Sequence, residues 1–217
     1  MDKYIKPNLK KATIITIDTQ NDFSLPGAVA EIKGTYDVLP NMVKILNACR
    51  ENNVPIIHVI RIYKEDASNV DISRKQLIES GINIVNPNSV GADLVKLIKP
   101  ENSEELKYEK LLEGNIQSIS NKEWVIYKSR WGAFYKTNLE DFLKSMDIDT
   151  LIFIGCNFPN CPRTSIYEAS ERDFKVVAVE DAISGTYNKG LEEIKNIGVH
   201  VYNTNQLVDK ICTTYEK

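Results

Sequence analysis

The chain carries only two histidines and four cysteines in 217 residues. No second cysteine pair and no histidine pair stands at a spacing that would complete a four-ligand zinc site. A basic surplus is also missing. Lysine and arginine number 27 against 30 aspartates and glutamates, for a net charge of −3. The broad positive face that nucleic-acid binding needs is therefore not expected. No uninterrupted apolar run approaches the length of a membrane span. The opening "MDKYIKPNLKKATIITID" is polar and charged before its first apolar run, so it does not read as a signal peptide. These absences predict a cytoplasmic protein with free thiols, no membrane contact and no nucleic-acid partner. Internal repeats, low-complexity segments and a G-x-G-x-x-G dinucleotide fingerprint are absent as well.

What remains is ordinary for a globular chain, with 42% hydrophobic and 26% charged residues. The length suits a single domain, 1–217, with a sizeable core. Short runs rich in β-branched residues predict strands at 12–18, 55–63, 123–128, 150–155, 175–182 and 198–203. Several of these runs are apolar at successive positions, as in strands covered on both faces. Helical patterns fall between them at roughly 37–53, 137–147, 162–173, 188–196 and 204–214. This alternation predicts an α/β fold, a three-layer α/β/α sandwich around a mostly parallel, about six-stranded sheet. Residues 64–122 break the rhythm and read as a long, charged, largely helical insert, poor in large apolar side chains.

In open α/β sheets, ligands bind beyond the carboxyl ends of the strands. Three predicted strand ends carry reactive groups there: Asp18 in "IDTQNDF", Lys128 in "IYKSRWGAF", and Cys161 after "FIGCNFPN". Pro162 marks the first turn of a helix, which puts Cys161 at a helix N-terminus. The helix dipole, free N–H groups and a nearby lysine ammonium all favour a thiolate. A neighbouring carboxylate can accept a thiol proton and return it to a leaving group. Each residue also has a plainer reading: a buried inert cysteine, a turn-capping aspartate, a solvated strand-end lysine. Cys156 and Cys161 stand five positions apart. Their C-x₄-C spacing differs from the C-x-x-C of thiol redox proteins but leaves a redox pair as an alternative.

The blocks "IDTQNDF", "YKSRWGAF" and "GCNFPNCPRTSIYEASERDF", in this order, resemble the signature segments of the isochorismatase-like cysteine hydrolases. The resemblance covers about residues 11–205 and implies the Rossmann-like isochorismatase fold. It implies an Asp18–Lys128–Cys161 triad that cleaves the C–N bond of a small amide or ureide through an acyl-thioester on Cys161. Asp18 would move the protons and Lys128 would support the charge distribution. It further implies a cis peptide between Cys156 and Asn157, and an oxyanion hole from the Asn157 and Cys161 amides.

The loop "NFPN" and Pro162 depart from the family's small residues around the nucleophile. Residues 61–71, "RIYKEDASNVD", lack the Asp and two His that hold a metal in nicotinamidases, and His58 and His200 lie in predicted strands. The resemblance is therefore to the amidohydrolase branch, with no metal and no cofactor expected. Phe23, Trp131, Phe134 and Phe158 are candidates to wall the pocket, and Arg61 and Tyr63 to bind the substrate. Arg130, Arg163, Asn69 and Arg74 are weaker candidates. A guanidinium near the site would suit a carboxylate-bearing substrate. A homo-oligomer, dimer or tetramer, is expected, in which the insert closes a neighbour's site. A catalytically inactive metabolite-binding member of the family is a further alternative.

Overall fold

The computed structural model describes residues 2–216. Its elements run from a 3-10 turn at Leu9–Lys11 through β1 (Ala12–Ile17), α1 (Asn21–Ser24), α2 (Thr35–Glu51) and β2 (Ile56–Arg61). Then come α3 (Ile72–Glu79), α4 (Tyr108–Leu112), β3 (Gln117–Ser120), β4 (Glu123–Lys128), α5 (Leu139–Ser145) and β5 (Thr150–Gly155). The chain ends with α6 (Cys161–Ser170), β6 (Lys175–Ile183), α7 (Asn188–Asn196), β7 (His200–Tyr202) and α8 (Thr204–Tyr215). No helix among the described residues is long and apolar enough to cross a membrane.

One seven-stranded sheet has the order β3-β4-β2-β1-β5-β6-β7. All pairings are parallel except β3 with β4. The expected six strands are present, and β3 is the seventh. Its sequence, "QSIS", is short and half polar, with only Gln117 and Ile119 buried. Such an edge strand needs no apolar run, because one side of it faces solvent.

The central strands β1, β2 and β5 are buried at every position. Successive side chains point to opposite faces, so each strand feeds two cores. Ile14, Ile56, Ile60, Ile152 and Ile154 pack on one face, with α2 and α8 residues such as Met42, Ile45 and Leu207. Ile15, Ile17, Ile57, Val59, Leu151 and Phe153 pack on the other, with α5, α6 and α7 residues such as Leu143, Ile166 and Ile194.

The insert at 64–122 is not largely helical. It holds two short helices and β3, and the rest is turns. Left-handed backbone at Ala67, Val85, Asn88 and Asn102 interrupts any longer helix. It is also less poor in apolar anchors than its composition suggests. Ala67, Val70, Ile78, Ile84, Val85, Ala92, Leu94, Val95, Ile98 and Leu106 join the α2-side core. Polar contacts from the segment after β1 fasten it further. The Asp22 carboxylate accepts from Val85 N–H at 2.6 Å, Asn21 Nδ2 donates to Val90 O at 2.7 Å, and Gln20 pairs with Leu94 in an isolated bridge.

Candidate active site

β1 lies where the chain reverses direction across the sheet, with β2 on one side and β5 on the other. Ligand crevices form at the carboxyl ends of strands around such a point. Four strands meet there. Asp18 follows β1, Arg61 ends β2, Lys128 ends β4, and the loop after β5 leads to Cys161. Register fixes their neighbours: Arg61 stands opposite Lys128, and Ile17 opposite Gly155. Gly155 is required at this approach. Its φ is +123°, and a Cβ there would sit 2.3 Å from Ile17 O.

Lys128 is fully buried, and its Nζ donates to Asp18 Oδ2 at 2.8 Å and to Arg130 O at 3.2 Å. Asp18, in left-handed backbone with φ 50°, is 4% exposed. Its other oxygen, Oδ1, is buried without a protein partner. Cys161 opens α6, with Pro162 in the first turn. Its sulfur lies 3.6 Å from Arg61 Nη2. Cys156 is buried one loop earlier, and its thiol donates to Asp18 O at 3.0 Å. Both cysteines are free. The Cys156–Asn157 peptide is cis. Among the described residues, the Asn157 and Cys161 N–H groups donate to no acceptor.

The helix start does not make Cys161 a resting thiolate, contrary to the sequence expectation. Burial pushes its thiol up to about 11, and the Asp18 carboxylate adds to that, while Lys128 and Arg61 oppose it without prevailing.

The cavity over these groups is lined by Asp18, Phe23, Ile32, Arg61, Arg74, Trp131, Cys156, Asn157, Asn160 and Cys161. It is tight, with room for roughly one water molecule. Phe23, Trp131 and Arg61 are thus among its walls, and Lys128 sits behind Asp18 rather than on the cavity surface. Other candidates face elsewhere. Phe134 packs on Phe174, with ring centroids 5.9 Å apart, in the core beneath α6. Phe158 is fully buried and edge-on to Tyr187 at 5.7 Å. Its ring fits because Gly190 has no Cβ, which would meet Phe158 Cε1 at 2.6 Å.

Tyr63 is turned from the cavity to donate its hydroxyl to Asp71 Oδ2 at 2.6 Å. Arg61 shares that carboxylate, with Nη1 at 2.8 Å. Burial works against the charge on Arg61, but Asp18, Tyr63, Cys161 and Asp71 hold its pKa above the ordinary value. Burial likewise works against the Asp71 carboxylate. Ser73, Tyr63 and the two guanidiniums of Arg61 and Arg74 overcome it and lower its pKa. Asn69 is occupied by Ile62 O and Tyr127 Oη, Arg130 by Asn69 O and Ser129 O, and Arg163 by Glu193 and Tyr187.

His58 lies in β2 with Nε2 2.8 Å from Glu123 Oε1 and Nδ1 2.8 Å from Thr16 Oγ1. Its two ring nitrogens are thus engaged in a buried structural network. No cluster of three His, Cys, Asp or Glu side chains among the described residues is placed to hold a metal.

Sequence reasoning gave Ile32 and Asn160 no role, and neither has a motif that would mark it. Ile32 reaches the cavity through the loop between α1 and α2, and Asn160 immediately precedes the α6 start.

The isochorismatase domain model matches residues 12–206. An N-carbamoylsarcosine amidase of Arthrobacter is 29% identical over 203 residues, covering 91% of this chain and 70% of that protein. A probable inactive nicotinamidase of Arabidopsis thaliana is 27% identical over 196 residues, covering 88% of this chain and 91% of that protein. The crystal structure of an isochorismatase family protein from Desulfovibrio vulgaris superposes with a TM-score of 0.79 at 27% identity, covering 93% of this chain and 98% of that one. The span of the domain match, nearly the whole sheet and every strand end of the cavity, shows that the chain belongs to the isochorismatase family of hydrolases.

Proposed function

We propose that the protein hydrolyses the C–N bond of a small amide or ureide, with Cys161 as nucleophile. The observation that carries this reading is the buried Asp18 Oδ1, to which no protein group donates, in the same small cavity as the Cys161 side chain. Lys128 holds the second oxygen, so the carboxylate presents one defined basic site.

As the carbonyl carbon approaches, the Cys161 proton passes to Asp18 Oδ1 and sulfur bonds to that carbon. The carbonyl oxygen gains charge against the Asn157 and Cys161 N–H groups, which have no protein acceptor to give up. Collapse breaks the C–N bond, and Asp18 delivers its proton to the departing nitrogen. This leaves an acyl-thioester and a free amine or ammonia. Asp18 then takes a proton from water, the resulting hydroxide adds to the thioester carbon, the C–S bond breaks to release the acid, and Asp18 returns the proton to sulfur. Lys128 donates to the other Asp18 oxygen, which fixes the carboxyl group in place and favours its charged form, so that Asp18 readily gives its proton to the departing nitrogen.

The similarity to an N-carbamoylsarcosine amidase supports an amide or ureide substrate. The similarity to a probable inactive nicotinamidase makes a non-catalytic role the competing reading. An ammonia-release assay over a panel of small amides and ureides decides between them. Turnover by the wild-type protein and its loss in Cys161→Ala is the expected result. No release from any compound, or full activity in Cys161→Ala, would end the reading.

A further inference from the structure

The cavity contains more positive charge than its own carboxylates match. Among the groups that line it or pair directly with those that do, Lys128 is matched to Asp18 and Arg61 to Asp71. Arg74, from α3 in the insert, is left over. Its guanidinium carbon lies over aromatic walls, 5.4 Å from the Phe23 ring centroid and 5.7 Å from that of Trp131. Trp131 also faces Arg61 at 5.5 Å. Among the described residues, Arg74 donates no hydrogen bond and forms no ion pair. Asp71 feels its field but gives both oxygens to other donors, Arg61 and Tyr63 on Oδ2 and Ser73 on Oδ1. Glu168, the next carboxylate outward, accepts from Phe134 N–H outside the cavity lining.

We propose that Arg74 is a specificity-determining residue that binds a carboxylate on the substrate, so that the preferred amide or ureide is an anion. This rests on the reading of Cys161 as the nucleophile of amide hydrolysis. A guanidinium held only by ring faces keeps its N–H edge free, and that edge matches a carboxylate in a bidentate pair. Arg61 also has one donor without a protein partner, Nε, but its charge is matched by Asp71 and its Nη2 faces the Cys161 sulfur, where the reacting carbonyl must come. The amide would then sit over Cys161 and the carboxylate towards α3, and because the cavity holds roughly one water molecule, the Arg74 and Trp131 side chains must move aside as the substrate enters.

Kinetics with succinamate and its neutral counterpart succinamide test this. Arg74→Gln is expected to lower kcat/KM for succinamate by about 10-fold or more, mostly through KM. Succinamide should change by no more than about 3-fold, and Arg74→Lys should restore part of the loss. Equal losses for both compounds, or none for succinamate, would overturn the proposal. Should neither compound be hydrolysed, calorimetric titration of succinamate into Cys161→Ala and into Cys161→Ala/Arg74→Gln still separates the two ideas. Binding that is lost with Arg74 supports the anion site independently of the hydrolase reading. Absent binding, or binding indifferent to Arg74, refutes it.

Discussion

Lys128 occupies one oxygen of Asp18 at 2.8 Å and leaves the other without a partner. In the proposed mechanism this division gives a single carboxylate two separate tasks, one electrostatic and one proton-accepting. It also sets the thiol. Asp18 raises the Cys161 pKa, and only burial does so more.

Replacing Asp18 by asparagine should therefore make the thiol more acidic while abolishing turnover. The opposing cations, Lys128 and Arg61, would act on Cys161 without the carboxylate. The pH midpoint for alkylation of Cys161 by iodoacetamide, followed by mass spectrometry, should lie near 11 in the wild type. It should move to lower pH in Asp18→Asn. A midpoint that rises or stays put would show that Asp18 does not control the sulfur.

Asp71 is the second lever. It neutralises Arg61, and the side chains of both are almost wholly buried, at 2% and 4% exposure. Asp71→Asn keeps the shape and removes the charge, leaving a guanidinium uncompensated in the interior. A loss of about 3–5 kcal/mol in urea unfolding is expected. Adding Arg61→Met should recover much of it, because the stranded charge is then gone. If the double variant is no more stable than the single one, the pair is not the source of the loss.

Much of this arrangement could be read from the chain. Strands β1, β2 and β5 are β-branched runs buried on both faces, so their apolar patterns are unambiguous. Pro162 announces the start of α6, and the three strand-end residues follow from strand placement. Strand β3 left no such trace, since an edge strand can be polar on its open side. Sequence neighbourhood also misled for Phe134 and Phe158. Both lie next to site residues, but the direction of a side chain depends on what space is open, and Gly190 opens it away from the cavity for Phe158. The helix start that favours a thiolate is visible in sequence, whereas the burial that opposes it is not. Whether Arg61 or Arg74 carries spare charge depends on where the insert places Asp71, which composition does not show.

Acid sensitivity should trace to Glu123. Burial works against its charge, but His58 and Arg50 outweigh it and hold its carboxyl below the ordinary 4.5. A carboxylate lowered in the fold stabilises fully above the unfolded value and loses that contribution as pH falls through the folded one. Urea midpoints should thus decline as pH drops below about 4.5. In Glu123→Gln the decline over that window should be shallower, starting from a lower stability at neutral pH. Asp71, also lowered, accounts for a remaining slope. Parallel curves for the two proteins would exclude Glu123 as the source.

Gln20 donates to Arg61 O at 2.7 Å and to Ala92 O at 2.6 Å, while its oxygen accepts from Arg61 N–H at 2.8 Å. One amide thus knots the catalytic strand end to the middle of the insert. The insert is consequently no appendage that could be trimmed and leave chemistry behind. A break or shortening near residue 92 would unseat the Arg61 backbone before it disturbed any reacting atom. The tolerance of this protein to change in its longest irregular segment is bounded by a side chain two positions beyond its proposed general base.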